Sequence, residues 1–139
     1  MRADNVRRAD VFRELSRQDC LDRLHRSGVG RVAVCTHEGP VIILVNYVMD
    51  DETVVVRTAP YTLLAGHAWD QAAFEIDDLE HDMRRGWSVL VVGQGSPVDD
   101  PDEIADSPLL SELTPWAPGS RNMFIRIAPQ RITGREVAF

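Results

Sequence analysis

Asn46 and Tyr47 place two hydrogen-bonding side chains at the end of an otherwise apolar run, Val41 to Met49. Arg57 and Thr58 end the next apolar run in the same way, and Arg57 is a lone cation among valines. Thr58, Pro60 and Thr62 then lead into a short helical pattern. An arginine, two hydroxyls and the start of a helix make a seat for a phosphate. On spacing alone a second partner fits Arg57 equally well, a surface carboxylate such as Glu52. Trp87 and Ser88 offer a third group, an aromatic face and a hydroxyl entering a strand, and Trp116 is a further large aromatic. Such tryptophans serve a core or an interface more often than a ligand. If residues 50–52 form a tight hairpin, the 46–47 and 57–58 pairs sit at different levels of one sheet.

Other chemistries are excluded by what is missing. The four histidines, His25, His37, His67 and His81, show no metal-ligand spacing, so no metal site is expected. There is no GxSxG elbow. The acidic run Glu75, Asp77, Asp78, Glu80, Asp82 lacks the spacing of a calcium loop and reads as a solvated acidic segment. All fifteen cationic residues are arginines. A lysine Schiff base and a phosphate loop built on Gly-Lys-Ser/Thr are therefore out. Cys20 and Cys35 form neither a disulfide framework nor a CxxC pair, and read as two buried thiols of a cytoplasmic protein.

The elements that must hold these groups are mostly strands. The chain has 139 residues, 44% hydrophobic and 27% charged, which suits one domain with a real core. Its net charge of −7 argues against nucleic acid or an anionic membrane as partner. No uncharged stretch is long enough to span a bilayer, and no signal peptide is expected. Residues 1–13 read as a loose arm and 14–139 as a single domain. Ser16 caps a helix stopped near Gly28, with Cys20, Leu21 and Leu24 as its apolar stripe. Strands are predicted over 29–35, 41–49, 53–58, 72–76, 87–93 (continuing toward Val98), 123–127 and 131–137. Residues 62–69 read as a short helix, 77–82 as an acidic loop and 100–103 as another helix start. Hairpin-length loops favour antiparallel pairing and a small closed or partly closed barrel. The runs 41–49 and 87–93 are apolar on both faces, so their outer faces need a cover, which a two-fold partner supplies economically.

Several segments occur in order: GRVAV at 30–34, GPVIILVNY at 39–47, VVVRTAPYTLLA at 54–65, AAFEIDD at 72–78, GWSVLVVGQG at 86–95, PWAPGSR at 115–121 and IRIAPQRITGRE at 125–136. Together they resemble the pyridoxamine 5′-phosphate oxidase-like family of flavin-binding split barrels, in particular its small actinobacterial-type members. The resemblance implies a mainly β fold, a six-stranded antiparallel split barrel, paired as a homodimer with FMN in clefts between subunits. By position, Val45, Asn46 and Tyr47 would line the flavin ring. Arg57, Thr58, Thr62 and Leu63 would meet the ribityl phosphate. Trp87 and Ser88 would close the site, and Trp116 and Arg121 would reach it from the other subunit. Where relatives commonly read RTAPGTKLA, this chain reads RTAPYTLLA, so Leu63 replaces a phosphate-binding lysine and Tyr61 a glycine. Leu44 stands where relatives often have proline. These departures bring in two further readings, a deazaflavin coenzyme in place of FMN, and a dimeric binding module with an altered cofactor site. The function expected is a flavin-dependent oxidoreductase. Hydride transfer to or from a flavin requires no protein acid or base, and none is assigned. Turnover of pyridoxamine phosphate itself is not expected, because no second basic cluster exists for a substrate phosphate.

Overall fold

The structure, a computed structural model, describes residues 11–59, 62–80, 82, 84–98, 100, 102–103, 107, 110 and 123–138. Helix α1 (Arg17–Arg26) starts as expected: Ser16 Oγ accepts from Asp19 N at 3.1 Å. Strands β2 (Val29–Thr36), β3 (Gly39–Asp50) and β4 (Thr53–Thr58) follow. The turn Asp51–Glu52 joins β3 to β4, with Asp51 at φ 55°, a conformation aspartate tolerates. Helix α2 (Leu63–Gly66) is a single turn, capped by Thr62. Strands β5 (Gln71–Leu79), β6 (Arg85–Val98) and β7 (Met123–Ala138) complete the elements, preceded at the N-terminus by β1 (Val11–Glu14).

Every strand pairing is antiparallel, in the order β1-β7-β4-β3-β2-β5-β6, and β6 returns to pair with β7. Six strands thus close a ring, and β1 is added outside it on the last turn of β7. The fold is the mainly β, antiparallel split barrel that the sequence predicts. Alternation does the positioning. Val32 and Val34 on β2, and Ala72, Phe74 and Ile76 on β5, point inward and are buried, while their neighbours face out.

Two helices plug the ring. α1 lies across β7 at Gly134, where a β-carbon would stand 2.7 Å from Cys20 Sγ and 3.1 Å from Leu15 Cδ1. Tyr47 binds the same helix: its hydroxyl donates to Leu24 O at 2.6 Å, and its ring meets Phe74 edge-on at 4.7 Å. The turn after α2 closes on β6 at Gly95, where a β-carbon would come within 2.4 Å of Ala68 O. Leu64 of α2 is buried in the core.

Three expectations are corrected. Residues 11–13 belong to β1 rather than to a loose arm, because the end of β7 gives them a ladder: Val11 to Glu14 pair with Ala138 to Arg135. Asp77 to Leu79 continue β5 instead of looping, since Gly86 to Ser88 pair with them and their charges face solvent. The two last strands are one. Pro129 does not break β7, because β4 leaves it at Ile127 and β1 joins only at Arg135, so no second neighbour asks for its missing N–H. A bulge at Gln130, opposite Val92 and Gly93, absorbs the irregularity. The expected continuation of β6 to Val98 holds, and the strand runs unbroken from Arg85. The helix start at 100–103 keeps its cap, with Asp102 N donating to Asp100 Oδ1 at 2.9 Å, and the rest of that segment lies outside the described residues.

The Tyr47 hydroxyl joins the barrel to α1, so Tyr47→Phe strands a buried carbonyl. Urea denaturation of this variant is expected to show a loss of about 1–2 kcal/mol with an unchanged slope.

Candidate functional site

β3 changes partners along its length. From Gly39 to Asn46 it pairs with β2, and from Tyr47 to Asp50 with β4. β4 in turn keeps β7 as far as Thr58, which pairs with Met123. The last β3–β4 pair is Tyr47–Val56, and beyond it the two strands fork. Asn46 and Arg57 are the next residues on the two arms. The two-residue turn therefore puts them at one level, not at different levels as the sequence suggested. Both lie on the outer face, since Asn46 alternates with Val48 and Arg57 with Val55, which share an outer cluster with Val98, Leu110 and Phe124. Partial burial lowers the Arg57 pKa from its ordinary value.

Thr58 and Thr62 join at the same place, with their hydroxyl oxygens 2.9 Å apart. Thr62 also donates to Ala59 O at 2.9 Å and accepts from Ala65 N at 3.1 Å. The two hydroxyls thus tie the end of β4 to the α2 cap. Leu63 follows, exposed at 47%. Glu52, the alternative partner for Arg57, is held instead by Arg17 at 2.7 Å.

The remaining expected residues sit elsewhere. The side chains of Val45 and Tyr47 are buried in the core. The buried Tyr47 phenol has its pKa pushed up to about 12 by burial, so it stays neutral. Trp87 lies at the α1 end, paired with Asp78 and Glu136, under the Arg23 guanidinium at 5.1 Å from its ring. Ser88 faces the opposite side, into a cavity of about 530 Å³ that it shares with Phe12, Glu75, Leu90 and Thr133. Along β6, Trp87 is eleven residues from Val98, which pairs with Phe124 beside Arg57. That is up to about 36 Å of extended strand. One chain therefore brings Asn46, Arg57, Thr58, Thr62 and Leu63 together, with the backbone of Val45 and Tyr47, but not Trp87 and Ser88. Trp116 and Arg121 lie outside the described residues, as does Tyr61.

Two groups escaped the sequence. Arg23 over Trp87 comes from a helix read only for its apolar stripe. Arg31 reaches Glu75 Oε1 at 3.1 Å and Asp77 Oδ2 at 2.8 Å across the β2–β5 pairing. Burial first, then the bond and charge of Asp77, push the Glu75 pKa up to about 7, against the pull of Arg31. The only available signal was alternation, which puts all three on outward positions.

The sequence pattern of pyridoxamine 5′-phosphate oxidase matches residues 16–136. The chain belongs to the pyridoxamine 5′-phosphate oxidase family. Within it, an uncharacterized Mycobacterium tuberculosis protein, Rv0080, is 32% identical over 127 residues, 87% of this chain and 82% of that protein. The structure of the FAD binding protein from Mycobacterium smegmatis is 32% identical, covers 89% of this chain and 98% of its own, and superposes with a TM-score of 0.73. A conserved protein of unknown function from Corynebacterium diphtheriae is 31% identical, with 93% and 100% covered and a TM-score of 0.78. The split barrel of the family is thus the fold of this chain.

The Thr62 hydroxyl holds the α2 cap, so Thr62→Ala is expected to lower stability by about 1 kcal/mol, and Thr62→Ser by less. A thermal melt followed by circular dichroism checks the order.

Proposed function

We propose that this protein binds a flavin nucleotide, with FMN as the first form to test, where β4 forks from β3, and that it works as a flavin-dependent oxidoreductase. The observation that carries the reading is the meeting of Asn46 and Arg57 on one outer level, beside Thr58 and Thr62, in a chain of this family. A Mycobacterium smegmatis relative 32% identical is named as an FAD binding protein, which supports the flavin class. The residues fit such a group. Arg57 supplies the fixed positive charge for a phosphate. The side-chain amide of Asn46 offers a polar contact for a ring edge. Leu63 gives the seat an apolar wall where a second cation would stand.

When bound, the flavin supplies hydride and electron transfer. The chain orients it, neutralises its phosphate and keeps water from one ring face. Trp87 and Ser88 stand far from the fork in their own chain, so we assign their closing role to a second copy, in a homodimer. The open apolar residues Ile42 and Leu44 on β3, exposed at 70% and 62%, support that pairing. Trp116 and Arg121 join from the same second copy in this reading. The thiols of Cys20 and Cys35 are free; Cys20 is buried as expected, whereas Cys35 is exposed, because it alternates onto the outer face of β2, and free thiols fit the reducing cytoplasm. No helix among the described residues is long and apolar enough to cross a membrane.

Leu63 also favours the second reading, a dimeric barrel that has kept its shape and changed its ligand. Titration decides. The purified protein is expected to quench the fluorescence of FMN or FAD at micromolar concentration. Arg57→Ala should weaken binding by about ten- to a hundredfold, and Leu63→Lys should tighten FMN by about tenfold. Unchanged affinity in both variants means the phosphate sits elsewhere. A protein that ignores FMN, FAD and a deazaflavin alike is the binding module.

A further inference from the structure

The outer face of β3, β2, β5 and β6 carries two adjacent rows. Ile42, Ala33, Ala73 and Val92 stand side by side, all apolar. Beside them run Leu44, Arg31, Glu75 and Leu90, so an ionic cluster lies in the middle of an apolar stripe. Arg31 bonds both Glu75 and Asp77, at 3.1 and 2.8 Å. Two carboxylates on one guanidinium leave one negative charge uncancelled. Among the residues lining the cavity beside Glu75, the other charged groups are Glu14 on β1 and Arg135 on β7, which offset each other, while Arg131 of β7 stands at the far end of the apolar row, paired with Val92. β6 contributes only Ser88 and Leu90 there. No further cation compensates the excess charge among the residues lining this cavity.

We propose that two copies of the chain meet on this face, and that Glu75 takes up a proton as they do, so that the dimer tightens as pH falls to neutrality and loosens above it. This rests on the dimer of the proposed function and adds its regulation. The face is self-complementary. A two-fold axis through the stripe sets Ile42 and Leu44 against apolar residues, and turns the cation of one cluster toward the carboxylates of the other. Covering it removes water, so the two uncancelled charges would repel in a weaker dielectric. A proton on each Glu75 cancels them. Glu75 already sits near neutrality in the single chain, at about 7, and the assembly raises it further. Its contribution to assembly is therefore complete below the single-chain value and fades as pH rises through the higher value of the dimer.

Sedimentation equilibrium of the full chain at pH 6 and pH 8.5 tests this, with Glu75→Gln, Glu14→Gln and Ile42→Asp as variants. The wild-type dissociation constant is expected to be at least about tenfold lower at pH 6. Glu14→Gln should keep that ratio. Glu75→Gln should lose most of it and stay tight at both pH values. Ile42→Asp should weaken the dimer at both. Calorimetric dilution of the wild type at pH 7, in buffers of different ionisation enthalpy, reads the proton uptake without any variant. A dimer with no proton uptake, or the same pH ratio in Glu75→Gln, overturns the role of Glu75 and leaves the dimer standing. Ile42→Asp dimerising like wild type overturns the choice of face. A chain that stays monomeric at both pH values overturns the dimeric reading as well.

Discussion

Tyr47 is the residue at which β3 changes neighbours. Its ring is buried against Phe74, its hydroxyl is tied to the last turn of α1, and its backbone makes the final pair with β4. That anchor fixes the register of β3 against everything behind it. With the register fixed, Asn46 must face outward, and the turn at Asp51–Glu52 must bring Arg57 to the same level. Beyond this point β4 follows β7 and β3 follows β2, so the sheet opens where Arg57 stands on the outer face. The opening follows from closing a ring with strands of unequal length, and it places polar groups where the backbone ladder stops.

The same geometry separates Trp87 and Ser88 from the fork within one chain. β6 and β7 are the longest strands, and they carry Trp87 to the α1 end while Arg57 remains beside Phe124. A small barrel cannot fold one end onto the other. In the proposed homodimer, the outer face with Ile42 and Leu44 open to solvent is where a second copy would supply Trp87 and Ser88. The cluster at Arg31 then lies inside the contact, where its charge balance matters most.

Much of this was legible in the residues. Alternation in VGRVAVCT and in QAAFEIDDL gives the inward faces of β2 and β5, and TVVVRT gives β4 to the residue. The capping pattern at Ser16 and Asp19 gives the start of α1. Other features depended on distant neighbours. Ala128-Pro129-Gln130 looks like a break, and only the absence of a second strand beside Pro129 lets it stay in β7. Asp77 to Leu79 look like a loop until β6 pairs with them. Tyr47 has a side chain suited to a ligand or to a core, and the nearby carbonyl of Leu24 decides for the core. Arg31 and Glu75 are separated by 44 positions in sequence, so their contact exists only through the β2–β5 pairing. Position-by-position reading found Asn46, Arg57, Thr58 and Thr62, which the fold brings together, and the family resemblance joined to them Trp87 and Ser88, which stand apart from them in one chain.

The central claim is that the fork recognises an anionic tail through Arg57. Isothermal titration calorimetry with riboflavin and with FMN isolates that contact, because the two differ only in the phosphate. At moderate salt the account predicts that FMN binds at least about tenfold tighter than riboflavin. Equal affinities for the two would contradict it.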